Sequence, residues 1–143
     1  AHEMGHYKKH HIITGLAAGI LQTGVMFFLM SLCISYPPLF EAFYIPQPSI
    51  YAGLILFGLL YAPVDFFTGI MSMILSRRNE YAADRFAVET STNGEAFIRA
   101  LKKLSVHHLS NLAPHPFYVF LNYSHPPVMS RIQAIREQMA VSG

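Results

Sequence analysis

Charge is what this sequence has least of. Only 13% of its 143 residues are charged, against roughly a quarter in ordinary soluble domains. Hydrophobic residues make up 52% and the mean hydropathy is +0.33, so the composition leans towards a membrane protein. The formal net charge is +2. Its basic residues sit in separate pairs, Lys8-Lys9, Arg77-Arg78 and Lys102-Lys103, without interleaved aromatics on a soluble face. Nucleic-acid binding is left without support. Cysteine is nearly absent: Cys33 stands alone in an apolar run, which excludes an internal disulfide and says nothing about redox compartment. No internal repeat or low-complexity tract occurs.

Long uncharged runs are present instead. Ile12 to Tyr36 contains no charged residue and, as a helix, is long enough to cross a hydrocarbon core of about 30 Å. It is too long, and its flank Lys8-Lys9-His10-His11 too close to the histidine motif before it, to be a removable signal peptide. Ser49 to Leu75 is a second such run, interrupted by Pro63 and Asp65. Pro63 predicts a kink. Asp65 is costly inside a span unless paired or wetted, and reads either as lining a watery cavity or as pairing with a polar group on another helix. The connection from Pro37-Pro38 to Pro48 contains Glu41 and no lysine or arginine, whereas both outer flanks carry paired basic residues. The positive-inside tendency therefore places Lys8-Lys9 and Arg77-Arg78 on the cytoplasmic side. Two antiparallel spans return the chain to the side on which it began.

That return matters because chemistry stands at both ends of the hairpin. Ala1-His2-Glu3-Met4-Gly5-His6 is an HExxH sequence. On a helix, residues four apart share a face, so His2 and His6 can offer two imidazole nitrogens to one ion. Glu3, one residue round from the first ligand, has the placement of a general base for an attacking water. A hydrolytic zinc centre commonly has three protein ligands and one open position. Glu80 is the best third ligand, beginning a Glu-x-x-x-Asp pair directly after the second span. Asp84, one turn on, is placed to accept a hydrogen bond from the far nitrogen of a ligating histidine. His10 and His11 read as extending the first helix; adjacent residues point about 100° apart, so they are assigned to the membrane interface and not to a second metal.

Beyond Glu89 the composition turns soluble. Thr92 and Glu95 have capping-box spacing, and Phe97, Ile98, Leu101 and Leu104 recur at helical intervals. Leu109 to Tyr123, with Pro114 and Pro116, is expected to be irregular, and His107-His108 and His115 to lie on the surface. Ser124-His125-Pro126-Pro127 reads as a helix entrance, followed by an apolar stripe of Val128, Ile132, Ile135 and Met139. The expected fold is mainly α: a metal-binding helix over 1–11, transmembrane helices over 12–36 and 49–75, a non-cytoplasmic loop over 37–48, and a cytoplasmic-side catalytic segment over 76–143.

With these motifs in place, the chain resembles the C-terminal part of the type I CAAX prenyl proteases, the a-factor-converting family of integral membrane gluzincins. The resemblance is carried by Ala1 to Tyr7, by Leu75-Ser76-Arg77-Arg78-Asn79-Glu80-Tyr81-Ala82-Ala83-Asp84-Arg85-Phe86-Ala87, by Asn111-Leu112, and by Tyr123-Ser124-His125-Pro126-Pro127 with Arg131. It implies one zinc ion on His2, His6 and Glu80, catalysis by Glu3, support from Asp84, and substrate or transition-state contacts from His125 and Arg131. It also implies a helical zincin-type segment within a larger multi-span enzyme. A ligand two residues from a chain end would otherwise sit on a fraying terminus.

The function expected is thus that of a membrane-embedded zinc endopeptidase acting on a peptide or protein substrate, with or without a prenyl group. The expected setting is a bilayer, either the bacterial inner membrane or, as the alternative, that of the endoplasmic reticulum. The competing readings are a quality-control zinc peptidase with no prenyl requirement and a catalytically silent zinc-binding membrane protein. A metal transporter would need ligands at mid-span on several helices.

Overall fold

From Ser49 to Leu75 the apolar run contains one internal proline, and from Ser76 to Asn79 there is neither glycine nor proline to stop a helix. The computed structural model, which describes residues 1–91 and 93–142, accordingly carries one helix from Ile50 to Thr90. The second apolar run and the Glu80 segment are therefore continuous, and the boundary expected after residue 75 is not a break in structure. In chain order the helices are α1 (His2–Lys8), α2 (His11–Ser35), α3 (Pro37–Ala42), α4 (Ile50–Thr90), α5 (Gly94–His107), α6 (Pro116–Asn122) and α7 (Val128–Ser142). No strand occurs among the described residues.

The chain divides into two compact units, Ile13–Gly69 and Ala1–Ile12 with Ile70–Gly143. In the first, α2 and the start of α4 run antiparallel. The Gln22 amide donates to Thr68 Oγ1 at 3.3 Å, while further along the pair Gly53 meets Ile34. A Cβ on Gly53 would stand 2.8 Å from the Ile34 Cα, so the missing side chain is what lets the two backbones approach. The connection read as a loop over 37–48 contains α3, whose prolines occupy first-turn positions where no N–H is needed. Phe40 of α3 is buried. Helix α4 continues on both sides of Pro63, and Asp65 is exposed.

Both α2 and α4 are long and apolar enough to cross a membrane, yet 6% of the residues in each apolar window are buried. Leu16, Ile20, Phe28, Ile55 and Phe67 all stand largely exposed. A core helix of a soluble domain would hide such residues.

The second unit has a conventional core. Ile98 and Leu101 of α5 interlock with Ile132 and Ile135 of α7, flanked by Val88, Phe97, Val128 and Met139. These are the stripes expected from the sequence on α5 and α7. Thr92, the residue expected to cap α5, lies outside the described residues; the Asn93 side chain accepts the Ala96 N–H at 2.9 Å and serves as the cap. Residues 109–123 are not wholly irregular, since α6 starts at Pro116. Proline there is a helix opener, and His115 Nδ1 accepts the Phe117 N–H at 3.2 Å, which gives His115 a capping role. Arg77 of α4 donates to the carbonyls of Val119, at 3.2 Å, and Tyr123. A cation thus closes the C-terminal end of α6 and anchors the strand of chain that leads to His125.

Ile135 is 1% exposed at the centre of this core. Ile135→Ala should lower the unfolding free energy of the full chain by about 2–5 kcal/mol, measured by denaturant titration in detergent. An unchanged midpoint would mean that α5 and α7 are not held by this cluster.

Candidate metal centre

Every residue of the centre lies in the unit formed by Ala1–Ile12 and Ile70–Gly143. Helix α4 presents its buried positions there as Glu80, Ala83, Asp84 and Ala87, the i, i+3, i+4, i+7 pattern of one helical face. Two are carboxylates and two are small. The alanines make room for α1, whose Gly5 is buried against them: a Cβ on Gly5 would lie 3.0 Å from the Ala83 Cα and 3.1 Å from its carbonyl oxygen. This close approach brings the histidines on either side of Gly5 down to the level of Glu80. Lys8 adds a contact at the far end of α1, its ammonium 5.4 Å from the centre of the Phe86 ring.

The donor atoms then converge. His2 Nε2 and His6 Nε2 are 3.3 Å apart. Glu80 places Oε2 3.6 Å from His2 Nε2 and Oε1 3.3 Å from His6 Nε2. A tetrahedral zinc with ligand bonds of about 2.0–2.1 Å has ligand-to-ligand edges of about 3.3–3.4 Å. The two separations at His6 match that figure, and the one from His2, to the other oxygen of the Glu80 carboxylate, is slightly longer. Two imidazole lone pairs and a carboxylate facing one point repel each other unless a cation lies between them, so the donor set fits a divalent metal such as zinc.

The far side of His2 meets a carboxylate. Its Nδ1 lies 2.9 Å from Asp84 Oδ1, an off-axis approach that leaves the buried nitrogen without an ideally aligned acceptor. Arg131 grips the same carboxylate with two bonds of 2.7 Å, Nε to Oδ2 and Nη2 to Oδ1. Its Nη1 stands 3.3 Å from Glu80 Oε2. Burial alone would raise the Asp84 carboxyl, but the close His2 ring, the hydrogen bonds from Arg131 and the guanidinium charge hold it below its ordinary value. For Arg131 burial works against the charge, and the bond and charge of Asp84, then the charge of Glu80, raise it above its usual range. Both groups stay ionised.

His125 completes the group. It precedes α7, its side chain is 66% exposed, and its Nδ1 is 3.2 Å from Glu80 Oε1. His125 and Arg131, which periodicity did not select, both reach Glu80. Glu3 is exposed and lines the same cleft as His2, His6, Glu80, His125 and Arg131. The cleft holds about 740 Å³, and Phe97, Ala100 and Leu104 of α5 form an apolar wall. The cleft thus combines polar groups with apolar surface, the usual make-up of a binding cleft.

Sequence reasoning missed two parts of this arrangement. Gly5 could be seen only as an unspecified position within HExxH, since nothing in the sequence says what lies over it. The first helix also does not extend through His10 and His11: it ends at Lys8, His10 takes a left-handed φ of 55°, and α2 starts at His11. A histidine in that conformation costs on the order of 1 kcal/mol, and no glycine or proline announces the turn.

The sequence pattern of peptidase family M48 matches residues 1–139. The chain belongs to peptidase family M48. This M48 chain is 31% identical over 137 residues to the CAAX prenyl protease 1 homolog of Homo sapiens, an overlap of 94% of this chain and 29% of that protein. It is also 31% identical over 134 residues to the uncharacterized metalloprotease YhfN of Bacillus subtilis (strain 168), covering 92% of this chain and 32% of that one. Among solved structures it is similar to Ste24p of S. mikatae, with a TM-score of 0.78 and 26% identity over 94% of this chain and 34% of that chain. The M48 chain thus spans about a third of the length of these relatives, and the resemblance to type I CAAX prenyl proteases holds across it.

Gly5→Val should push α1 off Ala83 and weaken zinc binding about 10- to 100-fold, read by chelator competition. Glu80→Ala should weaken it at least as much. Wild-type affinity in Gly5→Val would show that the close approach does not set the height of the histidines.

Proposed function

We propose that the protein containing this chain is a membrane-embedded zinc endopeptidase. The observation that carries the reading is the convergence of His2 Nε2, His6 Nε2 and the Glu80 carboxylate, at separations of 3.3 to 3.6 Å, with Glu3 in the same cleft. When bound there, zinc supplies Lewis acidity that polarises a peptide carbonyl and makes water more acidic. Glu3 takes the proton of the attacking water and later delivers it to the leaving amine. His125, exposed at the mouth of the cleft, donates to the oxygen on which negative charge develops. Arg131 is held by Asp84 and Glu80, so in this reading it positions those carboxylates and adds its field to the site.

The length and apolar character of α2 and α4 support a bilayer setting, and the basic pairs at Lys8-Lys9 and Arg77-Arg78 favour a metal centre on the cytoplasmic side. The short connection between the apolar runs favours a bacterial inner membrane. Relatives named as CAAX prenyl protease 1 homologs support a prenylated peptide as substrate, and the kinship to YhfN, named as a metalloprotease without a stated substrate, keeps an unmodified membrane-associated peptide as the second reading. Against a catalytically silent site stands Glu3, the residue such a site would not need, which is present and lines the same cleft.

Glu3→Gln in the full-length protein should keep zinc within about twofold and reduce peptide cleavage by about 10²–10⁴-fold. Zinc content by elemental analysis and cleavage by mass spectrometry check the two halves. Retained cleavage would remove Glu3 from the chemistry. Matched farnesylated and unmodified peptides, offered to the wild-type enzyme, decide the substrate class: cleavage restricted to the farnesylated peptide supports the CAAX reading, and equal cleavage of both ends it.

A further inference from the structure

His2 and His6 are held differently. Each turns Nε2 towards the donor cluster and so presents Nδ1 to the protein behind it. Behind His2 is Asp84; behind His6 is another imidazole, with His11 Nδ1 3.1 Å from His6 Nδ1 and the rings edge-to-face at a centroid distance of 5.1 Å. Had α1 continued as one helix, residue 11 would lie about 140° round the axis from residue 6, facing away from it. The chain instead breaks after Lys8, turns through the left-handed His10, and restarts α2 on His11 itself. The turn is what brings the two imidazoles together.

We propose that His11 is a positioning residue of the metal centre, accepting the Nδ1–H of His6 and thereby keeping the Nε2 lone pair of His6 aimed at the ion. The argument rests on the metal-site reading above and adds a residue to it. If Nε2 of His6 is to bind a metal, its proton must sit on Nδ1. That proton needs an acceptor, and His11 Nδ1, 3.1 Å away, supplies one when its own proton is on Nε2. Partners of this kind fix the tautomer and ring orientation of a ligating histidine and raise its basicity, and their loss typically weakens metal binding by about 10- to 100-fold.

The test compares the full-length protein with His11→Leu, His11→Gln and Glu80→Ala by zinc competition against a chromophoric chelator, and by the visible spectrum of the Co2+-loaded forms. His11→Leu should weaken zinc by about 10- to 100-fold and shift the cobalt bands; His11→Gln, whose amide oxygen can accept the same bond, should recover most of both. Thermal melts of the metal-free proteins check that each variant folds. Wild-type affinity in His11→Leu, with Glu80→Ala weakened, overturns the role of His11 and leaves the metal site standing. Equal losses in Leu and Gln also overturn it, because the hydrogen bond would not be the cause. Affinity in Glu80→Ala equal to wild type would overturn the metal-site reading itself.

Discussion

Two carboxylates one turn apart on α4 are nearly excluded from solvent, Glu80 at 6% and Asp84 at 2% exposure, and this buried negative charge is the constraint around which the site is built. Burying one ionised carboxylate without a partner costs several kcal/mol; burying two side by side is worse. Arg131 is the fixed cation that reaches both. One guanidinium against two carboxylates leaves a deficit of one positive charge, and the neighbouring histidines, if they are to be ligands, stay neutral. A divalent ion among His2, His6 and Glu80 reverses the balance to a net charge of plus one. The same surplus is what a hydrolytic centre needs to stabilise a developing oxyanion.

Bringing donors to those carboxylates is a packing problem solved with small residues. Ala83 and Ala87 give α4 a shallow face, Gly5 gives α1 a flat one, and the backbones meet at contact distance. Behind α4 the interlocked isoleucines and leucine of α5 and α7 fix Arg131, whose neighbour in sequence, Ile132, is itself a core residue. The cluster and the clamp are thus coupled: a shift of α7 that disturbed the packing of Ile132 and Ile135 would also pull the guanidinium away from Asp84 and Glu80.

The sequence was legible where a physical pattern is local. Uncharged length betrayed α2 and α4, helical recurrence betrayed the buried faces of α5 and α7, and the spacing of His2, His6, Glu80 and Asp84 betrayed groups that the structure brings together. It was illegible where the reason lies across space. The tolerance for glycine at position 5 is set by Ala83, seventy-eight residues away in the chain. Arg131 is singled out by the resemblance alone, and no local pattern announces its grip on Asp84, forty-seven residues earlier in the chain. Proline misled in residues 109–123, where Pro116 opens a helix instead of preventing one. The break at His10 had no signal, because the left-handed turn is made by a histidine, flanked by residues that all tolerate helix.

That break also explains why the two histidines differ behind the site. A carboxylate behind His6 would orient the ring as well as Asp84 orients His2, and would make the nitrogen more basic. It would also add a third negative charge within reach of Glu80 and Asp84, with Arg131 already shared between those two. A neutral imidazole accepts the same proton without adding charge. The left-handed residue costs on the order of 1 kcal/mol, whereas an unpaired carboxylate in a partly buried site costs several. On those magnitudes a strained turn that delivers His11 is the less expensive way to hold His6, and the asymmetry follows from the charge already buried on α4.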